Sequence, residues 1–205
     1  MELQYGADGL IPAIVQHARS GEVLMLGYMN EAALAATRDS GWVTFWSRSR
    51  AALWRKGETS GNLLRCVAVR TDCDADALLV LAEPAGPTCH TGAPSCFHRD
   101  VAGDVLDERV PAISMVPRLA DVIAARAASG AADSYTARLL AAGVDRIARK
   151  IGEEAAEVII AAKNHDTREL TWELADLWYH ALVLQHQQGL APEAVWHELR
   201  RRHGA

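Results

Sequence analysis

No run of apolar residues in this sequence reaches the length needed to span a bilayer, which argues against a helical membrane protein. The opening residues, MELQYGADGL, are acidic and lack the apolar stretch of a secretory leader. Export is therefore not expected, and a cytoplasmic location is. An excess of positive charge is missing too. The formal net charge is −5, which weighs against broad binding to nucleic acid or membrane surfaces. It leaves room for a local basic pocket that takes a small anion. Internal repeats and low-complexity tracts are absent. Cysteine is scarce, with four residues at positions 66, 73, 89 and 96. A reducing compartment makes these thiols or metal ligands, not disulfides.

What is present falls into two textures. The chain has 205 residues, half of them apolar, enough for one large core or two small ones. From Gly9 to about Phe97, short apolar runs alternate with turn residues. LIPAIVQHA and EVLMLGYM read as strands joined by RSGE, and WVTFWS, LLRCVAVRT and ALLVLAE as three more. Between them, Asn30 is placed to cap a helix over EAALAATRDS that Gly41 ends. Residues 98–116 have weak periodicity and read as a linker or domain edge. From Pro117 the texture is helical. A Ser-Gly break falls at 129 and 130, Ser134 caps YTARLLAAG, VDRIARKIGEEAAEVIIAAK is one long helix, and Asp166 or Thr167 caps the next. Pro192 opens a last helix. The expected architecture is two domains: a strand-rich α+β domain over 1–112, then an all-α domain over 113–205.

Three features carry chemistry. The first is TDCDADA, residues 71–77. Continued as a strand, it turns Asp72, Asp74 and Asp76 to one face and Cys73 to the other. Three carboxylates suit a hard cation such as Mg²⁺, whose charge offsets their repulsion. Cys73 joins Cys89 and Cys96 of TCHTGAPSCF to make three thiolates, a set suited to zinc with an open fourth position. Cys66, in the apolar CVAV, reads as a core thiol. His90 is a fourth ligand, a proton shuttle or a loop residue, with the shuttle ranked first. The second feature is WSRSRAALWRKGETSGN, residues 46–62. Its cations Arg48, Arg50, Arg55 and Lys56, its hydroxyls and its glycines suit phosphate and ribose, although a charged surface hairpin explains the composition equally well.

These segments, with DGLIPAIVQHARSGEVLMLGYMNEAAL, closely resemble the phosphoribosyl-AMP cyclohydrolases over roughly residues 8–98. The resemblance implies that Asp72, Asp74 and Asp76 bind Mg²⁺. It implies that Cys73, Cys89 and Cys96 bind Zn²⁺, with ligands shared across a homodimer. It places substrate contacts at Trp46, Ser47, Arg48, Ser49, Arg55, Lys56, Gly57, Glu58, Thr59, Ser60, Gly61 and Asn62. The implied reaction adds water to the adenine ring of phosphoribosyl-AMP and opens it between N1 and C6; His90, next to a zinc ligand, is the expected base on its position alone.

The third feature is a set of helical carboxylates: Glu153, Glu154 and Glu157 in KIGEEAAEVIIAAK, then Glu173 and Asp176 in ELADLWYH. Spacings of three and four put each set along one side of its helix. No lysine or arginine stands four residues after any of them, and Arg149 and Lys150 precede Glu153 and Glu154 in the weaker orientation. Half-buried acids without cations are expected to hold a metal. RIARKIGEEAAEVIIAAKN with ELADLWYHALVL resembles the phosphoribosyl-ATP pyrophosphatases over roughly 117–202. That implies Mg²⁺ on Glu154, Glu157, Glu173 and Asp176, catalytic work by these and Glu153, and phosphate contact from Lys150, Arg146 or Arg149.

Together the resemblances imply an ATP-binding, nucleotide-binding, bifunctional hydrolase of histidine biosynthesis, its domains in the reverse order of its reactions. Two rivals stay open at this point. One is a house-cleaning nucleotide pyrophosphohydrolase fused to a zinc domain. The other is a non-enzymatic, zinc-stabilised interaction module.

Overall fold

The computed structural model describes residues 2–106, 114–131 and 133–204. Part of the stretch read as a linker, 107–113, lies outside them, and the expected boundary at 112 lies there too. The chain divides into two compact units, Met1–Ser114 and Met115–Ala205.

The first unit is built on a four-stranded sheet in the order β2-β1-β6-β5. Its central strands, β1 (Ile11–His17) and β6 (Leu78–Pro84), bury alternate residues along their first five positions. This is the period-two pattern of a sheet with one face on the core. They pair in parallel, Ala13 opposite Leu78 and His17 opposite Ala82. The edges are β2 (Val23–Met29), antiparallel to β1, and β5 (Leu64–Thr71), antiparallel to β6. Helix α1 (Glu31–Ser40) begins where the Asn30 side chain accepts a hydrogen bond from the Ala33 amide at 2.8 Å. It ends at Gly41, whose φ of 74° places it in the left-handed region. Both ends match the reading of the sequence. A small second sheet pairs β3 (Thr44–Ser47) with β4 (Ala52–Arg55). Strand β4 is the return arm of the charged hairpin that the composition left open: the turn at 48–51, with Ala51 at φ 47°, folds the basic stretch back on itself. The core gathers Ile11, Val15, Leu24, Met29, Val43, Phe45, Leu64 and Val80.

The second unit is helical: α2 (Met115–Ser129), α3 (Tyr135–Ala141), α4 (Val144–Lys163), α5 (Thr167–Gln187) and α6 (Ala194–His203). Ser134 caps α3 through the Ala137 amide, and Asp166 caps α5 through the amides of Arg168 and Glu169. A three-residue connection between α4 and α5 makes them an antiparallel pair. Ile123, Leu139, Ile147, Leu182 and Val183 form the core. Along α4 the buried positions are Ile147, Glu154 and Ala161, a heptad stripe. A carboxylate in the middle of such a stripe marks a site. Among the described residues no helix is long and apolar enough to cross a membrane.

Candidate active sites

Strand β5 stops at Thr71, so the aspartates do not alternate along a strand as expected. They ride on the β5–β6 turn. Asp72 Oδ1 accepts from the amides of Asp76 and Ala77 at 3.1 and 3.2 Å, and Ala75 takes a φ of 64° at the apex. Folding the turn back on its own first residue gathers one oxygen each of Asp72, Asp74 and Asp76 within 4.8 Å of one another. The charges register this. Asp74 and Asp72 push the Asp76 carboxyl above its ordinary value. Desolvation opposes ionisation of Asp72, but the hydrogen bonds from Ala77 and Asp76 outweigh it and hold that carboxyl below.

The loop after β6 carries Cys89 and Cys96. Cys89 is buried, and its Sγ accepts a hydrogen bond from Thr91 Oγ1 at 3.1 Å. That bond, with the Thr91 amide, holds the Cys89 thiol below its ordinary pKa. The Cys96 side chain hydrogen-bonds Cys89. Although Cys96 is exposed as a residue, desolvation around its Sγ and then the charge of Cys89 push its thiol up to about 11, against the pull of Lys56. The backbone of this loop is pinned to β2. The Cys96 amide donates to Leu24 O at 2.8 Å, and the buried Ser95 hydroxyl donates to Val23 O at 2.7 Å. His90 is exposed, its Nδ1 3.9 Å from Cys89 Sγ.

Cys73 does not join this pair. It is exposed, and no described trio of donors includes it. The reason is the sheet. The aspartate turn precedes β6 and the Cys89–Cys96 loop follows it, and a seven-residue strand separates its ends by about 20 Å. The expectation that Cys73 faces away from the aspartates along a continuing strand does not hold, because β5 has already ended at Thr71; the length of β6 is what keeps Cys73 from Cys89 and Cys96 of the same chain.

The basic stretch comes to the same end of β6 as Cys89. Its residues Trp46 and Ser47 lie on β3 and Arg55 on β4. Arg48, at the turn, stacks over Tyr28 at 4.0 Å from the ring centre. Ser49 approaches Ser47 at 3.4 Å between hydroxyls. Arg50 donates to Ser47 Oγ and lies 3.9 Å from Glu58. Lys56 and Gly57 are buried, while Glu58, Thr59, Ser60 and Gly61 form an exposed turn. Asn62 closes it. A Cβ on Gly57 would stand 2.1 Å from Asn62 O, and one on Gly86 would stand 2.4 Å from Asn62 Oδ1. Asn62 is thus wedged between two glycines, and the second of these, Gly86, lies three residues ahead of Cys89. The Ala85 amide fastens the turn by donating to Leu63 O at 2.9 Å. Cys66 is half-buried on β5, and burial pushes its thiol up.

In the helical unit, one oxygen each of Glu154, Glu157 and Glu173 falls within 4.8 Å of the others. Asp176 and Glu153 stand outside that trio. Glu153 turns to Lys150, whose Nζ lies 3.0 Å from its Oε2. Lys150 Nζ also lies 2.7 Å from Glu154 Oε1. The expectation that these acids have no cation is thereby corrected. Glu154 is paired from the turn before it, in the orientation taken to be the weaker one, because both side chains are drawn over the same stripe. Burial alone would raise the Glu154 pKa, but Lys150 overrides it and the carboxyl is held below its ordinary value. Glu157 moves the other way. Its hydrogen bond to Glu154, desolvation and the charge of Glu173 raise it.

His180 is the residue the sequence did not single out. It is buried, and its Nδ1 lies 2.9 Å from Asp176 O and 3.7 Å from Glu154 Oε1. A carbonyl only accepts, so Nδ1 carries the proton, and in the neutral ring Nε2 accepts from Tyr135 Oη at 3.2 Å. The spacing of four between Asp176 and His180 was the available signal. Arg146 and Arg149 are exposed on α4.

The family model of phosphoribosyl-AMP cyclohydrolase matches residues 25–98, and that of phosphoribosyl-ATP pyrophosphohydrolase matches 116–203. The chain is 51% identical over 202 residues to the histidine biosynthesis bifunctional protein HisIE of Bacillus subtilis (strain 168), covering 98% of this chain and 95% of that one. It is 53% identical over 196 residues to the protein of the same name in Escherichia coli (strain K12), covering 96% and 92%. To that of Photobacterium profundum it is 48% identical over 196 residues, covering 96% and 93%.

Proposed function

This chain belongs to the bifunctional histidine-biosynthesis family, a cyclohydrolase domain followed by a pyrophosphohydrolase domain, and from that premise we propose which of its residues and metals carry each reaction. It is a bifunctional hydrolase. The helical domain hydrolyses phosphoribosyl-ATP to phosphoribosyl-AMP and pyrophosphate, and the strand-rich domain hydrolytically opens the adenine ring of phosphoribosyl-AMP. Identity along nearly the whole chain to proteins of this name favours neither the house-cleaning enzyme nor the interaction module.

The first reaction belongs to Glu154, Glu157 and Glu173, with Asp176 one turn further along α5 and Glu153 beside them. The observation that carries this is the trio's mutual spacing within 4.8 Å. Three carboxylate oxygens gathered this closely would hold a hard divalent cation such as Mg²⁺. The hydrogen bond to Glu154, desolvation and then the charge of Glu173 raise the Glu157 carboxyl, and a cation among the three would favour its ionised form. The aspartate turn fits the same ion on the same grounds. Cys89 and Cys96 fit two corners of a zinc site, one thiol already biased toward thiolate by Thr91. When bound, these metals stabilise charge on phosphate oxygens and acidify water. Lys150, Arg146 and Arg149 receive the triphosphate. The turn from Trp46 to Asn62 grips phosphate and ribose next to Cys89. His90, exposed beside that cysteine, takes the proton from the water that adds to the adenine ring.

The working form is a homodimer in the cytoplasm. The third thiolate is Cys73 of a second copy, since about 20 Å of strand keeps the chain's own Cys73 away. Exposed apolar side chains on α4 and α5 (Ile159, Ile160, Trp172) support association. The test is the full chain with phosphoribosyl-ATP, Mg²⁺ and Zn²⁺, following pyrophosphate release and ring opening separately. Cys89→Ala should stop only ring opening, and Glu154→Ala should slow only pyrophosphate release, with ring opening then assayed on supplied phosphoribosyl-AMP. Loss of both activities in either variant would undo the division of labour.

A further inference from the structure

We propose that Lys150 is a built-in competitor of the divalent cation: in the free enzyme its ammonium occupies Glu154, and a metal ion entering the Glu154–Glu157–Glu173 cluster must displace it. The inference rests on the reading of that cluster as the metal site of the pyrophosphohydrolase domain.

Glu154 sits in the core stripe of α4, with its side chain 5% exposed. An ionised carboxylate there needs a positive partner. Among the described residues, the cation at hydrogen-bond distance is Lys150, 2.7 Å away. His180 does not take its place. Its Nδ1 is 3.7 Å from the same oxygen, and its proton is committed to Asp176 O at 2.9 Å. The Lys150 ammonium therefore satisfies the buried acid before any metal arrives. It is also free to leave. Its side chain is 23% exposed, and its other partner, Glu153, is exposed. Lysine is a compact point charge on a flexible stem, without the fixed fork of arginine, and changes partner easily. A divalent ion that takes an oxygen of Glu154 must first drive off the positive charge already in contact with it. Metal affinity in the free enzyme is lowered accordingly. Once displaced, the ammonium lies within reach of the triphosphate that the domain hydrolyses, so metal and substrate are expected to favour each other's binding.

The test uses the full chain with isotope-labelled histidine and Mn²⁺ as the probe. Paramagnetic broadening of the His180 ring signal, identified by its loss in His180→Gln, reports binding at this cluster when it is abolished by Glu154→Gln and kept when Asp72, Asp74 and Asp76 are all replaced by Asn. Even at the dielectric of water, removing an ammonium about 6 Å from a divalent ion strengthens binding roughly tenfold. Lys150→Gln should therefore tighten the apparent Mn²⁺ Kd by about that factor at low ionic strength. Lys150→Arg, which keeps the charge, should stay within about twofold of the wild type. An unchanged or weaker Kd in Lys150→Gln overturns the proposal. Should that variant fail to fold, the wild-type Lys150 ammonium signal decides. Saturation with Mg²⁺ should shift or erase it, and persistence overturns the proposal. Glu154→Gln separates the two levels. If it leaves Mn²⁺ binding intact, the metal-site reading falls and the inference with it. If it abolishes binding while Lys150→Gln fails to tighten it, the inference alone falls.

Discussion

Gly57 offers a quantitative check on how the substrate turn is held. Its φ is +84°, and a Cβ placed on it would stand 2.1 Å from Asn62 O and 2.6 Å from the Leu63 nitrogen. Both obstacles are backbone atoms, which cannot rotate aside as a side-chain tip can. Gly57→Ala therefore carries two costs. A left-handed backbone costs a non-glycine residue about 1–2 kcal/mol. Overpacking against fixed neighbours adds about 1–3 kcal/mol. The sum, about 2–5 kcal/mol, is a large share of the roughly 5–15 kcal/mol that stabilises a domain. In a unit of this size each kcal/mol lowers Tm by about 4–8 °C. The control is Gly41→Ala: φ is +74° there and nothing lies within 4 Å of the built Cβ. It bears only the first cost. Scanning calorimetry of the zinc-free full chain should place the strand-domain transition of Gly57→Ala about 5–20 °C below that of Gly41→Ala. Ring opening should fall with it, since the wedge of Asn62 between Gly57 and Gly86 sets the turn beside the cysteine loop. Equal melting temperatures for the two variants would refute the steric argument.

Other expectations follow from the sites. His90→Ala should lower ring-opening turnover far more than it lowers zinc content by metal analysis; unchanged turnover would remove His90 from the reaction. Lys150 holds the Glu154 carboxyl below its ordinary value. Its stabilisation is present above the unfolded carboxylate pKa, near 4.5, and is lost as pH falls through the lower folded value. Glu154→Gln should therefore flatten the acid side of the helical domain's stability profile, and an unaltered acid limb would contradict the pairing. Glu157 is raised, so its shift contributes stability that is present at low pH and lost as pH rises through the folded value. In metal-free protein near neutral pH, Glu157→Gln should melt higher than the wild type while losing stabilisation by Mg²⁺; a lower melting temperature would speak against repulsion in the trio. Finally, mixing inactive Cys73→Ala with inactive Cys89→Ala should restore about a quarter of ring opening, since half the dimers are mixed and each holds one intact site. No recovery after verified subunit exchange would exclude a shared zinc site.

Local rules in the sequence set much of this protein. The caps at Asn30, Ser134 and Asp166 and the stop at Gly41 were legible because each depends on contacts no more than four residues away. Strand alternation in β1 and β6, and the change to helical texture after Pro117, follow from side-chain periodicity within one element. The inventory of donors was legible as well, since carboxylate triplets and paired thiols announce their chemistry wherever they fold. Strand β4 was left undecided because a basic, glycine-rich composition suits both a hairpin and an anion grip.

Tertiary structure decided what meets what. Whether Asp72 bends back on Asp76 depends on where β5 stops pairing with β6, and sequence alternation alone suggested a longer strand. Cys73 and Cys89 lie close in the chain, yet a whole strand holds them at opposite ends of the sheet. Lys150 reaches Glu154 from one turn back on α4, but His180 comes to the same oxygen only because α5 packs against α4 with that carboxylate between them. Spacing along one helix ranks possible pairs by orientation. It cannot weigh the cost of leaving a buried acid unpaired, and that cost selects the partner.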